Sequence, residues 1–253
     1  MNQRYFIHLA YNGSDYHGWQ VQDNAPTIQA SLNKALSTLL NTEINVVGCG
    51  RTDTGVHASD FYAHFDFAVE LNSEERIELI FKLNRFLPVS IVIFDLFPVN
   101  NEVNSRFDAI SRTYKYNISL RKDPFFDAFS CFVYGDLDID LMNKAAKEMM
   151  SYTDFTSFSK LHTQTKTNNC KIIKAEWEAE GHKLIFTIKA DRFLRNMVRA
   201  IVGTLLDVGR QKITIDDFKQ IIESRNRSDA GYSVPAKALF LEKVEYPEDV
   251  WII

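Results

Sequence analysis

Cysteine is scarce in this chain of 253 residues, and its spacing excludes two architectures. Cys49, Cys131 and Cys170 stand far apart, are odd in number and form no Cys-x-x-Cys pair, which argues against a disulfide framework and a zinc site. No apolar run approaches the ~20 residues that a membrane span needs. Met1 to Ala10 alternates polar and apolar residues instead of joining a basic start to a long apolar run, so no signal peptide is expected and a reducing cytoplasm is the expected setting. His-Glu-x-x-His and nucleotide-binding fingerprints are missing, and no low-complexity linker divides the chain. Positive charge is not in excess either: the net charge of -4 tells against a protein that simply coats nucleic acid.

What is present is apolar mass and segregated charge. Hydrophobic residues make up 45% and aromatic residues 13%, enough for a substantial core in one large or two small domains. Phe155 to Ala175 holds Lys160, Lys166, Lys171 and Lys174 and no acid, while Lys189 to Lys212 holds Lys189, Arg192, Arg195, Arg199, Arg210 and Lys212 against Asp191 and Asp207. Such clustering allows a basic face on an acidic molecule; an ordinary solvated surface is the alternative.

Alternation predicts a strand over Arg4 to Ala10, broken by Asn12-Gly13-Ser14-Asp15. Thr27 caps a predicted helix whose apolar positions run Ile28, Leu32, Ala35, Leu36, Leu39. Ile44 to Val47 reads as a short strand, Phe61 to Phe67 as another, Ser73 to Phe86 as a helix stopped by Pro88, and Ile91 to Phe97 as a buried strand. The second half repeats the theme. A strand from Thr113 to Leu120, a helix from Ile139 to Met150, a hairpin around Glu180-Gly181-His182, helices Phe193 to Val208 and Ile215 to Ser224, and a last strand Ala238 to Tyr246 are expected. Lys160 to Asn169, rich in Thr and Asn, is the candidate mobile loop. The pattern predicts an α+β fold of two halves side by side around antiparallel sheet, jointed near Asn100 to Asn104: an N-terminal half over 1–104 and a C-terminal half over 105–253.

The segment with most chemical content is Gly48-Cys49-Gly50-Arg51-Thr52-Asp53-Thr54-Gly55-Val56-His57-Ala58. Its glycines allow unusual backbone shapes and close approach of a ligand, and they frame one acid and one base. A phosphate cradle would need a helix start and a Lys-Ser or Lys-Thr pair, which this segment lacks. A tight turn with Asp53 bonded to a nearby amide is the alternative reading. His57 reads as a loop-ordering residue; His8, His17, His64, His162 and His182 show no ligand spacing.

This segment resembles the active-site loop of the tRNA pseudouridine synthase A family, Gly-Arg-Thr-Asp-Ala-Gly-Val-His, with Thr54 replacing the alanine. Further resemblances follow in order: Tyr11 to Gln20; Arg106-Phe107-Asp108-Ala109 with Ser111-Arg112-Thr113-Tyr114-Lys115-Tyr116; Phe193-Leu194-Arg195-Asn196-Met197-Val198-Arg199 with Ile201-Val202-Gly203; and, more loosely, Ser233 to Leu239, where Val234 and Ala236 stand for the usual Ala and Gly. The resemblance implies two RRM-like halves forming a continuous, mainly antiparallel sheet flanked by helices, with the cleft between them. It implies isomerisation of uridine at positions 38, 39 and 40 of the tRNA anticodon arm, by a homodimer, without cofactor or metal. Asp53 would be the nucleophile, Arg199 its partner, Tyr114 the aromatic on the target uracil, and Arg51 the filler of the gap a flipped base leaves. Arg192 and Arg195 would suit phosphate contacts; helical spacing sets Arg192, Arg195 and Arg199 at i, i+3 and i+7. An inactive RNA-binding module, a synthase for another RNA, and a hydrolase using Asp53 and His57 are the alternatives.

Overall fold

The computed structural model describes residues 2–160 and 167–251. The described residues form nine strands, mainly antiparallel, and five α-helices, an α+β fold as expected. They fall into two compact units: Met1–Ile110 with Leu241–Ile253, and Ser111–Phe240. The chain therefore changes unit at Ile110, and from Leu241 onward it belongs with the first unit rather than the second.

In the first unit β1 (Gln3–Tyr11) lies between β3 (His57–Phe67) and β4 (Ile91–Val99), antiparallel to both, and the two-residue β2 (Val47–Gly48) pairs with β3. Being central, β1 is covered on both faces: Tyr5, Phe6 and Ile7 are all fully buried. Tyr5 stacks on Phe65 on one side, while Phe6, Tyr62, Tyr246 and Trp251 form an aromatic cluster on the other. Helix α1 (Ile28–Leu40) starts where Thr27 accepts from Ala30 N and buries Ile28, Leu32, Ala35 and Leu36. Helix α2 (Ser73–Phe86) opens on a capping box between Asn72 and Glu75 and stops at Leu87, held extended by Pro88.

The strand expected over Ile44 to Val47 shrinks to β2. Side chains take the backbone bonds a ladder would use: Ser37 Oγ accepts from Ile44 N at 2.8 Å and Asn33 Oδ1 from Val46 N at 3.0 Å.

The second unit carries β5 (Ser111–Ser119), β8 (Lys183–Ala190) and β7 (Ile172–Glu180) in that order, antiparallel, with the short β6 (Cys131–Phe132) parallel to β5. Its helices are α3 (Ile139–Glu148), α4 (Met197–Gly209) and α5 (Ile215–Ser224), the last capped by Thr214 in a box with Asp217. Helix α4 is buried along most of its length, with Ala200, Ile201, Val202, Leu205 and Leu206 fully buried, as befits a core helix. β9 (Leu239–Glu245) spans the passage from the second unit to the first.

Helix α4 begins at Met197, four residues later than the spacing predicts. Asn196 adopts φ +69, a left-handed conformation that cannot continue a right-handed helix. The candidate mobile loop lies largely outside the described residues, as do Lys166 and His162. No described helix is long and apolar enough to cross a membrane.

Candidate active site

Asp53 stands in the connection that leaves β2 at Gly48 and rejoins the sheet at His57. Val56 N donates to Asp53 O at 3.1 Å, closing a four-residue turn whose third residue, Gly55, has φ +77. A glycine is the natural occupant of that corner. Asp53 is half-buried, Arg51 and Thr54 are exposed, and Thr52 is buried.

The segment from Tyr11 to Trp19, given no role from sequence, braces this turn. Tyr11 Oη and Thr52 Oγ1 are 2.8 Å apart, and Gly13 N donates to His57 Nδ1 at 3.1 Å. Trp19 N donates to Thr52 O and Gly55 N to Tyr16 O. The backbones approach so closely that a Cβ on Gly13 would lie 2.0 Å from Val56 O, and one on Gly18, itself at φ +88, would lie 2.4 Å from Thr52 O. His57, only 1% exposed, is thus an acceptor that orders the loop. The brace fixes the residues before and after Asp53, so the backbone from which its carboxylate springs has a set position.

The second unit positions the other candidates. Tyr114 lies on β5, half-buried, with the Phe193 ring packed edge-on at 5.1 Å. Tyr116, on the same face, is fully buried and donates its hydroxyl to Pro235 O at 3.0 Å; burial holds its phenol well above the ordinary range, so it stays neutral. Arg199, in the first turn of α4, donates through Nε to Val234 O at 2.7 Å, and Val234 N donates back to Arg199 O at 3.2 Å. Asn196 Nδ2 donates to Ser233 Oγ, and a Cβ on Gly203 would meet Tyr232 O at 1.9 Å. The segment around Ser233 and Val234 therefore locks onto the start of α4 and anchors the Arg199 guanidinium. Phe193 and Val234 stand in the resembling segments but are given no role from sequence. A backbone carbonyl that accepts from a side chain leaves no mark in composition.

Arg192 and Arg195 precede α4, so the i, i+3, i+7 stripe with Arg199 does not exist. Arg192 is half-buried and its N donates to Asp191 Oδ1, which also accepts from Lys171 N. Arg195 is exposed, and its carbonyl accepts from Lys160 N, so two of the basic clusters meet through backbone. Asp53 and Arg51 thus belong to the first unit, and Tyr114, Arg192, Arg195 and Arg199 to the second.

Cys49, Cys131 and Cys170 are free thiols, all buried, and burial pushes the Cys170 thiol up to about 12. Among the described residues no group of three or more His, Cys, Asp or Glu is placed to hold a metal ion. His8 pairs with Asp60 and His182 with Asp123.

Residues 145–247 match the family model described as tRNA pseudouridine synthase. A tRNA pseudouridine synthase A of Bacteroides thetaiotaomicron is 53% identical over 98% of this chain and 93% of its own length. That of Parabacteroides distasonis is 52% identical over 98% of each, and that of Clostridium acetobutylicum 41% identical over 94% of this chain and 97% of its own. Identity of this extent along nearly the whole chain places the protein in the tRNA pseudouridine synthase A family.

Proposed function

We propose that this protein isomerises uridine to pseudouridine at positions 38, 39 and 40 of the tRNA anticodon arm, with Asp53 as the nucleophile. The coarser activity, a tRNA uridine isomerase, rests on family membership. The observation that carries the assignment of Asp53 is the brace on its turn: a half-buried acid whose flanking residues Thr52 and His57 are both held, beside an exposed Arg51. Isomerisation breaks the bond from the sugar C1′ to N1, turns the base, and joins C1′ to C5; the C5 proton leaves and N1 takes one up, so nothing is lost overall. A carboxylate serves such a reaction by attacking the sugar carbon or the uracil ring.

In this reading the first unit supplies the Asp53 loop and the second supplies Tyr114 and Arg199 to the reaction at one uridine. Arg199 pairs with the Asp53 carboxylate and aims it, Tyr114 stacks on the flipped uracil, and Arg51 fills the gap left in the RNA. Arg192 and Arg195 contact phosphates. The enzyme works without cofactor or metal, in the cytoplasm, as a homodimer whose second subunit extends the RNA contact.

The test is an unmodified tRNA transcript incubated with the purified protein in the presence of chelator, with pseudouridine mapped at single-nucleotide resolution and Asp53→Ala run alongside. New pseudouridine at positions 38 to 40 with the wild type alone is the expected result. None at any uridine despite tight binding would favour the inactive RNA-binding module, and product elsewhere would favour another RNA target.

A further inference from the structure

The segment Asn104 to Ala109 is a single locked turn. Asn104 Oδ1 accepts from Arg106 N at 2.9 Å and from Phe107 N at 3.3 Å, Asp108 Oδ2 accepts from Asn104 N at 2.7 Å, and Asp108 N donates to Asn104 O at 3.1 Å. It is also fastened from below. Ser105, fully buried, donates through Oγ to Val47 O at 2.8 Å and accepts at its carbonyl from Tyr246 Oη at 2.5 Å; Ile110 N donates to Glu245 O.

A turn held this firmly buries its small residues and presents two large ones. Phe107 is 76% exposed, Arg106 is exposed, and the Arg106 guanidinium lies 5.6 Å from the Phe107 ring centroid. A ring displayed on a rigid support, with a cation beside it, is the form that stacking platforms for unpaired nucleobases take. The location fits. Val47, to which the turn is tied, begins the strand that runs into the Asp53 loop, so by chain length Phe107 lies within roughly 30 Å of Asp53. An apolar protein partner would strip water from the guanidinium without replacing it, whereas RNA offers a base for the ring and a phosphate for the cation.

We propose that Arg106 and Phe107 form a second nucleotide-binding site, on which an unpaired base of the substrate RNA, other than the uridine being isomerised, stacks on Phe107 with its neighbouring phosphate on Arg106. This rests on the tRNA substrate proposed above. The experiment measures dissociation constants by filter binding at two salt concentrations, and steady-state kinetics, for wild type, Phe107→Ala, Phe107→Trp and Arg106→Gln on one unmodified tRNA transcript.

Loss of a stacked base weakens binding roughly 5- to 150-fold. Phe107→Ala is expected to raise the dissociation constant and KM by that order, with kcat within about threefold of wild type and an unchanged melting temperature; Phe107→Trp restores binding. Arg106→Gln is expected to lower the slope of log affinity against log salt by about one phosphate contact. Wild-type affinity in Phe107→Ala overturns the proposal. So does a change of oligomeric state on size exclusion without loss of RNA affinity, which would make a second copy of the chain the occupant. A wild type that makes no pseudouridine while Phe107→Ala still loses RNA affinity would sink the activity and leave this site standing.

Discussion

Gly13→Ala tests whether the brace sets the reactivity of Asp53. The added methyl would lie 2.0 Å from Val56 O and 2.8 Å from Val56 C, where an ordinary contact needs 3.4 Å, so the two backbones must part by about 1.4 Å. Neither side yields cheaply. Val56 N closes the turn on Asp53 O, and the next residue, His57, takes the Gly13 N–H. Parting them drags the turn and opens a buried hydrogen bond. A misplacement of about 1 Å at a reacting group costs on the order of 100-fold in rate, or about 2.7 kcal/mol of barrier. Overpacking should also lower stability by about 1–3 kcal/mol.

The assay is tritium release from tRNA labelled at uridine C5, which reports the chemical step, alongside tRNA affinity and thermal melting. A kcat down about 100-fold with affinity within about threefold is expected. Gly50→Ala is the control within the same loop: a Cβ there meets nothing within 4 Å, so the fold should be untouched, and any loss of rate would report crowding of the RNA. Gly13→Ala with wild-type kcat would refute the argument that the brace positions the carboxylate.

Two further outcomes follow from the packing. Gly203→Ala puts a methyl 1.9 Å from Tyr232 O, so the segment that anchors Arg199 must move off α4; a melting temperature lowered by several degrees, with reduced kcat, is expected, and a neutral result would contradict the contact. His64, 4% exposed, is held down to about 4, first by burial and then by the nearby Arg4 charge. The native pKa lies below the unfolded one, so this group leaves stability flat above pH ~6.5 and removes it as pH falls from there toward 4, by on the order of 3 kcal/mol in all. Urea unfolding at pH 7.5, 5.5 and 4.5 should show that loss, and His64→Asn should flatten it; equal slopes would remove His64 as the cause.

Most elements were legible because their signals are local. Thr27 and Thr214 sit before periodic apolar runs and do cap α1 and α5; Pro88 does hold Leu87 extended; Gly181-His182 does turn the β7–β8 hairpin. The errors are of one kind, and their causes lie outside the segments misread. Apolar and basic residues around Arg192 to Arg199 keep helical spacing, but the left-handed Asn196, tied to Ser233 from 37 residues away, decides where the helix starts. Asn33 and Ser37 likewise consume the bonds of a strand that Ile44 to Val47 would otherwise form. In both places a side-chain bond to another segment, which periodicity does not register, decides where an element begins or ends.

The site divides the same way. Three glycines around Asp53 mark the loop in sequence, yet Gly50, in the middle of its most conspicuous stretch, has open space where its Cβ would be. Gly13, Gly18 and Gly203 are each pressed against a carbonyl from another segment, and Gly48 against the Trp19 ring. Sequence shows where backbone is permitted to bend; only the fold shows where it is required to touch. The Tyr11 to Trp19 segment could therefore be noticed from sequence but not assigned: its work is done through the Tyr11 hydroxyl, the Gly13 amide and the Trp19 amide, each acting on residues 33 to 44 positions later. A carboxylate that reacts by position needs such support from outside its own loop, since a surface turn alone would let it sample many directions.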